Sequence, residues 1–294
     1  MNDQSKPLYG ILFILAAGFL LASHDGISKH LTLVYPVIMV AWARYVSQTV
    51  LMLVLFTPSM RRRITQTKRP GLQLARGLSL VGITLLFFTG LKYIPLAEAT
   101  AVMFMTPLLV TIVSALMGEK VSKGQWLMVV LGLVGVLVVV RPGGALFTPA
   151  ILLPFGGACC FTLYQLITRR LSDTDHPVTS NFLSSLVGTV LMTVLVVSNW
   201  ETPALSHGLM MAALGALAMT GHMLLTHAFK YATAATLAPF TYGQIIFAGI
   251  VGFIAFRHVP DSGALVGMAI IIASGAGSAV MQRRISKRLV EAHA

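Results

Sequence analysis

The stretch LKYIPLAEATAVMFMTPLLVTIVSALM, residues 91–117, decides the fold of this chain. It begins with a short polar break and continues from residue 97 as an apolar run whose one charged residue is Glu98. About 20 predominantly apolar residues are long enough to cross the hydrocarbon core of a bilayer as a helix. The stretch therefore predicts a membrane-spanning helix, and similar runs fill the rest of the chain.

The composition supports this interpretation for the whole molecule. Of the 294 residues, 56% are hydrophobic and 10% are charged, and the mean hydropathy is +0.83. Soluble domains carry about 25% charged residues, so this chain is too poor in polar groups to cover a surface in water. Ten runs have the required length: 8–28, 35–57, 72–91, 97–117, 124–141, 149–169, 179–199, 208–228, 236–256 and 263–282. The sequence predicts an all-α integral membrane protein with ten transmembrane helices.

The Lys and Arg residues between the runs predict the orientation. With the N-terminus inside, 16 of the 21 lie on the cytoplasmic side, four lie on the opposite side, and Arg44 lies inside the second span. An excess of basic residues marks cytoplasmic loops, so both termini are expected in the cytoplasm and the protein in the inner (plasma) membrane. The formal charge of +12 would suggest nucleic acid in a soluble protein. Here the basic residues are expected to face anionic lipid, and no nucleic acid partner is expected.

A repeat divides the ten spans. The Lys92-Tyr93 pair recurs as Lys230-Tyr231, an offset of 138, and Val121 falls on Val259 at the same offset. The predicted halves are residues 1–143 and 144–294, with five spans each. Since five is odd, the second half enters the membrane from the opposite side. Inverted repeats of this kind are typical of secondary transporters. The alternative is a duplicated scaffold without a transport role.

Short motifs occur in order over most of the chain and together point to one family. They are Trp42-Ala43-Arg44-Tyr45, Arg76-Gly77-Leu78, residues 91–100, Thr106-Pro107-Leu108, residues 118–121, Val140-Arg141-Pro142-Gly143, Gly221-His222, residues 227–232, residues 237–242 and Pro260-Asp261. With this ordered set the chain resembles the drug/metabolite transporter superfamily, EamA type. The resemblance implies two inverted five-helix EamA repeats around a central cavity.

The resemblance also implies a small-molecule organic solute, such as an amino acid, a vitamin or a nucleoside-like cofactor. The members that the chain most resembles include proteins assigned to riboflavin or S-adenosylmethionine uptake as well as metabolite exporters. One departure concerns the end of the ninth span, where family members often have Gly-Glu and this chain has Phe256-Arg257-His258. A role that needs an acidic residue there is not supported.

Ionisable residues within spans are candidate functional residues, because burying a charge in lipid is costly. Arg44 lies nine residues into the second span, about 14 Å deep, and is expected to bind a substrate carboxylate, phosphate or carbonyl. The alternative is a fixed pair with Asp25 or Glu98 that holds helices together. Asp25 and Glu98 are themselves candidates for proton coupling or gating; the alternative places both at the wet outer interface.

Aromatic and polar side chains complete the predicted substrate-binding set: Arg44, Phe88, Phe104, Tyr164, Gln165, His222, Tyr242 and Gln244. Aromatic faces bind planar or cationic groups, and hydroxyl and amide groups set the orientation of a ligand. For the phenylalanines the alternative is packing in the core or against lipid, and for His222 it is a hydrogen bond between helices.

Motifs of enzymes are absent from the sequence. It contains no G-x-S-x-G nucleophile, no H-E-x-x-H zinc motif and no G-x-x-x-x-G-K-[ST] phosphate loop. No enzymatic activity, cofactor or metal is therefore expected, and ATP-driven pumping by this chain alone is not expected. The expected partners are the lipid bilayer and the solute, with the chain as a monomer or homodimer. The alternative functions are a membrane-embedded enzyme and a non-transporting channel or receptor.

Overall fold

The computed structural model describes residues 7–118, 121–141, 148–171, 174–232, 237 and 240–291. Within these ranges the chain forms eleven α-helices: α1 Pro7–Val34, α2 Val37–Met60, α3 Pro70–Leu91, α4 Leu96–Met103, α5 Thr106–Leu116, α6 Lys123–Val140, α7 Leu152–Leu171, α8 Pro177–Val196, α9 Leu205–Tyr231, α10 Gly243–Phe256 and α11 Ser262–Glu291. Short 3₁₀ turns cover Arg61–Thr65, Pro149–Ile151 and Val197–Asn199.

Ten spans can be assigned among these helices. In the described residues eight stretches are long and apolar enough to cross a membrane, and the shorter apolar helices Gly243–Phe256 and Ser262–Ser278 supply two more. The prediction of an all-α membrane protein is confirmed, and the chain is a multi-pass membrane protein.

The first and fourth predicted spans differ from the structure for reasons of local chemistry. Helix α1 continues to Val34, six residues past its predicted end, because no Pro or Gly follows Gly26 until Pro36, which begins the next helix in an extended conformation. The fourth span is split into α4 and α5. Pro107 has no N–H to donate to the carbonyl of Met103. The Thr106 hydroxyl donates to that carbonyl instead, at 2.7 Å. Pro239, which lies within the predicted ninth span, is outside the described residues.

The contacts between helices are repeated when each helix is replaced by its equivalent in the other half of the chain. Helix α1 packs along α9, and its second-half equivalent α7 packs along α3. Helix α2 packs on α8 and α9, and its equivalent α8 packs on α2 and α3. Helix α6 packs along its own equivalent α11, and α4 packs on α10. The extensive contacts therefore join the two halves rather than elements within one half. The predicted boundary at residue 143 lies outside the described residues and stays a prediction.

Glycines permit a close contact between α6 and α11. A Cβ on Gly267 of α11 would lie 2.6 Å from the carbonyl oxygen of Gly135 on α6. Such an approach is available to helices whose contact residues lack a side chain. This explains why the fifth and tenth spans are rich in glycine.

The surface of the bundle is apolar and the charges gather at its ends. Leu127, Val130 and Leu137 of α6 are each more than half exposed. Such a surface suits lipid, whereas in water it would drive association. We call the end that contains Arg61, Arg62, Arg63 and Lys68 the basic end, and the end that contains Lys29, Glu98 and His258 the opposite end. That the basic end is cytoplasmic stays a prediction.

Candidate functional site

Arg44 is held in the interior by residues of α2 and α3. It lies two turns into α2, roughly 11 Å from the opposite end, and is 6% exposed. Its Nη1 donates a hydrogen bond to Thr84 Oγ1 at 2.6 Å, and its guanidinium carbon lies 4.8 Å from the centroid of the Tyr45 ring. The Nε atom is buried and has no hydrogen-bond partner in the part of the chain that the structure describes. Part of the donor capacity of Arg44 is therefore unused.

The groups that orient Arg44 are themselves fixed. Tyr45 Oη donates to the carbonyl of Leu80 at 2.9 Å and lies 2.7 Å from Thr84 Oγ1. The Tyr45 ring lies against Gly188 of α8, where a Cβ would come within 2.5 Å of it. Three helices thus determine the direction in which the guanidinium points.

Neither carboxylate proposed as a partner of Arg44 contacts it. Asp25 Oδ1 pairs with His24 Nδ1 at 2.9 Å, and Glu98 Oε1 pairs with His258 Nε2 at 2.9 Å. Among the described residues no ion pair joins Arg44 to Asp25 or Glu98. The fixed pair that the sequence left open as an alternative is therefore absent from this part of the chain.

Several predicted residues are linked through His24 and Asp25 of α1. The His24 ring lies 5.9 Å from the Phe88 ring, centroid to centroid, and Gln244 Nε2 lies 3.5 Å from Asp25 Oδ2. His222 of α9 follows Gly221, where an added Cβ would lie 3.0 Å from Leu21, less than one turn before His24 on α1. We call this group, drawn from α1, α2, α3, α9 and α10, the central cluster: His24, Asp25, Arg44, Thr84, Phe88, His222 and Gln244.

Tyr164 lies elsewhere, beside Arg76, a buried arginine that the sequence did not single out as a binding residue. Arg76 is 3% exposed, and its guanidinium carbon lies 4.3 Å from the centroid of the Tyr164 ring. Its donors reach neutral acceptors on α7 and α8: Thr168 Oγ1 at 2.7 Å, Ser184 Oγ at 2.8 Å, Asn181 Oδ1 at 3.0 Å, the Ser180 carbonyl and the Tyr164 hydroxyl.

Arg76 lies in the first turns of α3, near the basic end, but its charge does not reach the surface. The signal in the sequence is the polar run Ser180-Asn181 with Ser184 one turn later, which places acceptors on one face of an apolar helix. Gln165, the next predicted residue, is half-buried on α7 beside Tyr164. These residues form a second polar layer, nearer the basic end.

Phe104 and Tyr242 form a third group in apolar surroundings. Their ring centroids are 5.1 Å apart, and Tyr242 is buried in a cluster that includes Met268 and Ile271. The Tyr242 ring lies so close to Gly275 that an added Cβ would be 1.8 Å from it. The two aromatic residues thus come together, but they do so apart from the described contacts of Arg44.

Glu98 lies at the opposite end, at the start of α4, and is buried rather than placed at a wet interface. It is 2% exposed, and no described residue forms a hydrogen bond with its Oε2. The side chain of His258, just after α10, is 37% exposed and lines a cavity of about 210 Å³ that Lys29 also lines. Lys29 Nζ donates to the carbonyls of Ile94, at 2.8 Å, and Leu91.

The Glu98–His258 contact was not anticipated from the sequence. The available signal was the departure at Phe256-Arg257-His258. Arg257 ends α10 in the left-handed conformation, φ 56°, which glycine adopts more readily. His258 follows it and reaches a carboxylate 160 residues earlier in the chain.

Both halves of the chain match one known family. Residues 8–141 and 148–279 each match the EamA-like transporter family. The chain belongs to the EamA-like transporter family. Because one family pattern covers both five-helix halves, the predicted fold of two inverted EamA repeats is confirmed, and so is the prediction that the protein is a transporter and not an enzyme.

The EamA-like chain is similar to curated transporters along most of its length. It is 26% identical to the riboflavin transporter of Vibrio cholerae over 98% of both chains. It is 26% identical to the S-adenosylmethionine uptake transporter of Rickettsia bellii over 92% of this chain and 94% of that protein. It is 25% identical to a pseudopaline exporter of Pseudomonas aeruginosa over 90% and 93%.

A solved crystal structure supports the fold alone. It superposes on this EamA-like chain with a TM-score of 0.64 and 20% sequence identity, over 95% of this chain and 99% of its own.

Proposed function

We propose that this EamA-like protein is a secondary transporter that carries a small organic metabolite across the bacterial inner membrane by alternating access, and that the solute binds in the central cluster beside Arg44. An amino acid, a vitamin or a nucleoside-like cofactor fits the proposal. The observation that carries it is the burial of Arg44 without a carboxylate partner among the described residues.

The physical reason is the cost of burying a charge. An arginine taken out of water loses several kcal/mol of solvation unless a counter-charge or a full set of hydrogen bonds replaces it. Among the described residues Arg44 donates one hydrogen bond, to Thr84, and its Nε donor has no acceptor. A carboxylate, phosphate or carbonyl oxygen of a solute would complete its coordination with a charge-assisted hydrogen bond.

Contacts at both ends of the bundle support alternating access. At the opposite end the Glu98–His258 pair joins α4 to the segment after α10. At the basic end Asp175, just before α8, accepts hydrogen bonds from Gln73 Nε2 at 2.7 Å, from the Lys68 N–H at 3.2 Å and from the Thr67 hydroxyl. The central cluster lies between these two closures, and opening one while keeping the other would expose it to one side at a time.

The Glu98–His258 pair is also the proposed coupling element. Glu98 is buried, but its histidine partner is in contact with an open cavity, so a proton from that side has a short path to the carboxylate. Loading this proton would remove the charge from Glu98 and weaken its contact with His258. Solute exchange without a proton is the alternative coupling mode.

The relatives suggest the first solutes to test. Proteins of similar sequence are named as transporters of riboflavin, for uptake of S-adenosylmethionine and for export of pseudopaline. Because both uptake and export occur among them, direction has to be measured for this chain.

The test uses purified full-length protein in liposomes. Metabolites, including riboflavin and S-adenosylmethionine, are first screened for compounds that raise the unfolding temperature in detergent, since a ligand of the folded state stabilises it. For each such compound we expect saturable uptake that is accelerated by unlabelled compound inside the liposomes. Arg62→Ala, an exposed change at the basic end, is the control and should not alter uptake. Flux that rises linearly with concentration and shows no counterflow would overturn the proposal.

A further inference from the structure

Three buried polar atoms on α1 and α2 lack a hydrogen-bond partner among the residues that the structure describes. They are His24 Nε2, Arg44 Nε and Gln48 Oε1. The three side chains are 5%, 6% and 4% exposed. Buried polar groups in native proteins are almost always paired, so unpaired ones indicate a missing ligand or ordered water.

The three side chains lie at similar depths in the bundle. Arg44 and Gln48 are one turn apart on α2 and share a face of that helix, roughly 11 Å and 17 Å from its start. His24 lies roughly 15 Å before the end of α1, which is at the same end of the bundle. Phe88 lies beside the His24 ring and supplies an apolar wall.

The hydrogen-bonding character of each atom follows from its other contacts. A carboxylate only accepts, so His24 Nδ1 carries the proton that is donated to Asp25; with the ring neutral, Nε2 is an acceptor. Arg44 Nε only donates, and Gln48 Oε1 only accepts. The site therefore offers one charged donor and two acceptors.

We propose that these three atoms select the solute, and that the solute presents N–H or O–H donors next to a carbonyl or carboxylate oxygen. This inference rests on the proposed function and names the substrate class of the same site. An amino-acid zwitterion and the amide edge of a heterocycle both have this pattern. The oxygen of the solute accepts from Arg44, and its donors reach His24 Nε2 and Gln48 Oε1.

A simple organic anion does not satisfy the same site. Its oxygens would accept from Arg44, but it has no hydrogen to donate to His24 or Gln48. Both acceptors would then be buried without a partner, which is the situation in which binding sites discriminate most strongly against an analogue. The site should therefore reject solutes that differ only by loss of the donor.

The experiment compares compounds in pairs that share their oxygens and differ in the donor. The pairs are leucine with 4-methylpentanoate, uridine with 3-methyluridine, and riboflavin with 3-methylriboflavin. Binding to the full-length protein in detergent is titrated by thermal shift, and counterflow is measured in liposomes. We expect the donor-bearing member of any bound pair to bind at least about tenfold more tightly.

Gln48→Met keeps the size of the side chain and removes its acceptor, so it should reduce this ratio several-fold. Gln66→Met changes an exposed loop glutamine and is the matched control, for which the ratio should not change. Equal binding of both members by the wild-type protein, or binding by none of the donor-bearing compounds, overturns the inference without requiring any variant to fold. An unchanged ratio in a folded Gln48→Met variant overturns it as well.

The outcomes separate this inference from the proposed function. If the donor-free compounds show counterflow equal to that of their partners, the protein is a carrier and the inference about selectivity is wrong. If stabilising compounds show only unsaturable flux, the proposed transport mechanism itself is wrong.

Discussion

Arg44 and Arg76 are two buried arginines with opposite hydrogen-bond status, and replacing each by methionine tests the role assigned to Arg44. Methionine retains most of the side-chain volume and removes the charge. Arg44 donates one hydrogen bond to Thr84, whereas Arg76 donates five to neutral acceptors. We expect Arg44→Met to abolish transport with little loss of stability, and Arg76→Met to unfold much more readily.

The magnitude follows from the difference between the two sites. Both variants remove a buried charge that has no carboxylate partner among the described residues, so the solvation gain largely cancels in the comparison. The variants also both remove an aromatic contact, at 4.8 Å for Arg44 and 4.3 Å for Arg76. Arg76 donates four more hydrogen bonds than Arg44. At about 1 kcal/mol each, their loss makes Arg76→Met less stable than Arg44→Met by roughly 4 kcal/mol.

Thermal unfolding of the purified variants in one detergent measures this difference. For a chain of this size, 4 kcal/mol corresponds to a separation of roughly 10 °C between the two variants. Counterflow of a compound that stabilises the wild-type protein measures transport by the same preparations. For Arg44→Met we expect at least about a tenfold loss, because a charge-assisted hydrogen bond to the solute is removed.

Two results would refute this reasoning. If Arg44→Met unfolds as readily as Arg76→Met, Arg44 stabilises the helix bundle and its free donor is not reserved for a ligand. If Arg44→Met transports at the wild-type rate, Arg44 is not in the solute site.

Three further predictions concern other parts of the molecule. Gly275→Ala should lower the free energy of unfolding by about 1–3 kcal/mol, because the new Cβ would overlap the Tyr242 ring. Gly249→Ala is the control and should be neutral or slightly stabilising, because no described atom lies within 4 Å of its Cβ. Equal unfolding temperatures of the two variants would contradict this. Burial raises the pKa of the Asp175 carboxyl, but hydrogen bonds from neighbouring side chains and a backbone N–H outweigh it and hold that pKa below its usual range. Since the pKa is lower in the folded state, Asp175 stabilises the protein above about pH 4 and this contribution disappears as the pH falls through the folded-state pKa. The difference in unfolding temperature between the wild type and Asp175→Asn should therefore be constant from neutral pH to about pH 5 and shrink in stronger acid; a difference that grows in acid would show that the sign is wrong. Glu98→Gln should keep solute exchange but lose accumulation driven by an imposed pH gradient, and gradient-driven uptake at the wild-type level would exclude Glu98 as the coupling residue.

The spans and the repeat were accessible from the sequence because they depend on local properties. A span needs about 20 apolar residues wherever it lies in the fold, so hydropathy locates it without knowledge of its neighbours. Arg44 was identified for the same reason, since a charge in the middle of such a run is exceptional. The split of the fourth span was signalled by Pro107, whose missing N–H has a local effect.

The partners of these residues were not accessible in the same way. The spans are apolar around most of their circumference, so the pattern along a helix does not show which face meets which neighbour. The sequence therefore could not show that Arg76 points at Tyr164, or that Tyr242 packs against Gly275 rather than beside Arg44.

By itself the sequence determined that this is an integral membrane protein with ten spans in two similar halves and an arginine within a span. Only the tertiary structure decided that Arg44 donates to Thr84 and that Glu98 pairs with His258. The physical reason is that hydropathy depends on each residue alone. Hydrogen-bond partners instead depend on how helices 40 to 160 residues apart rotate and approach, as set by side-chain fit at contacts such as Tyr45 on Gly188.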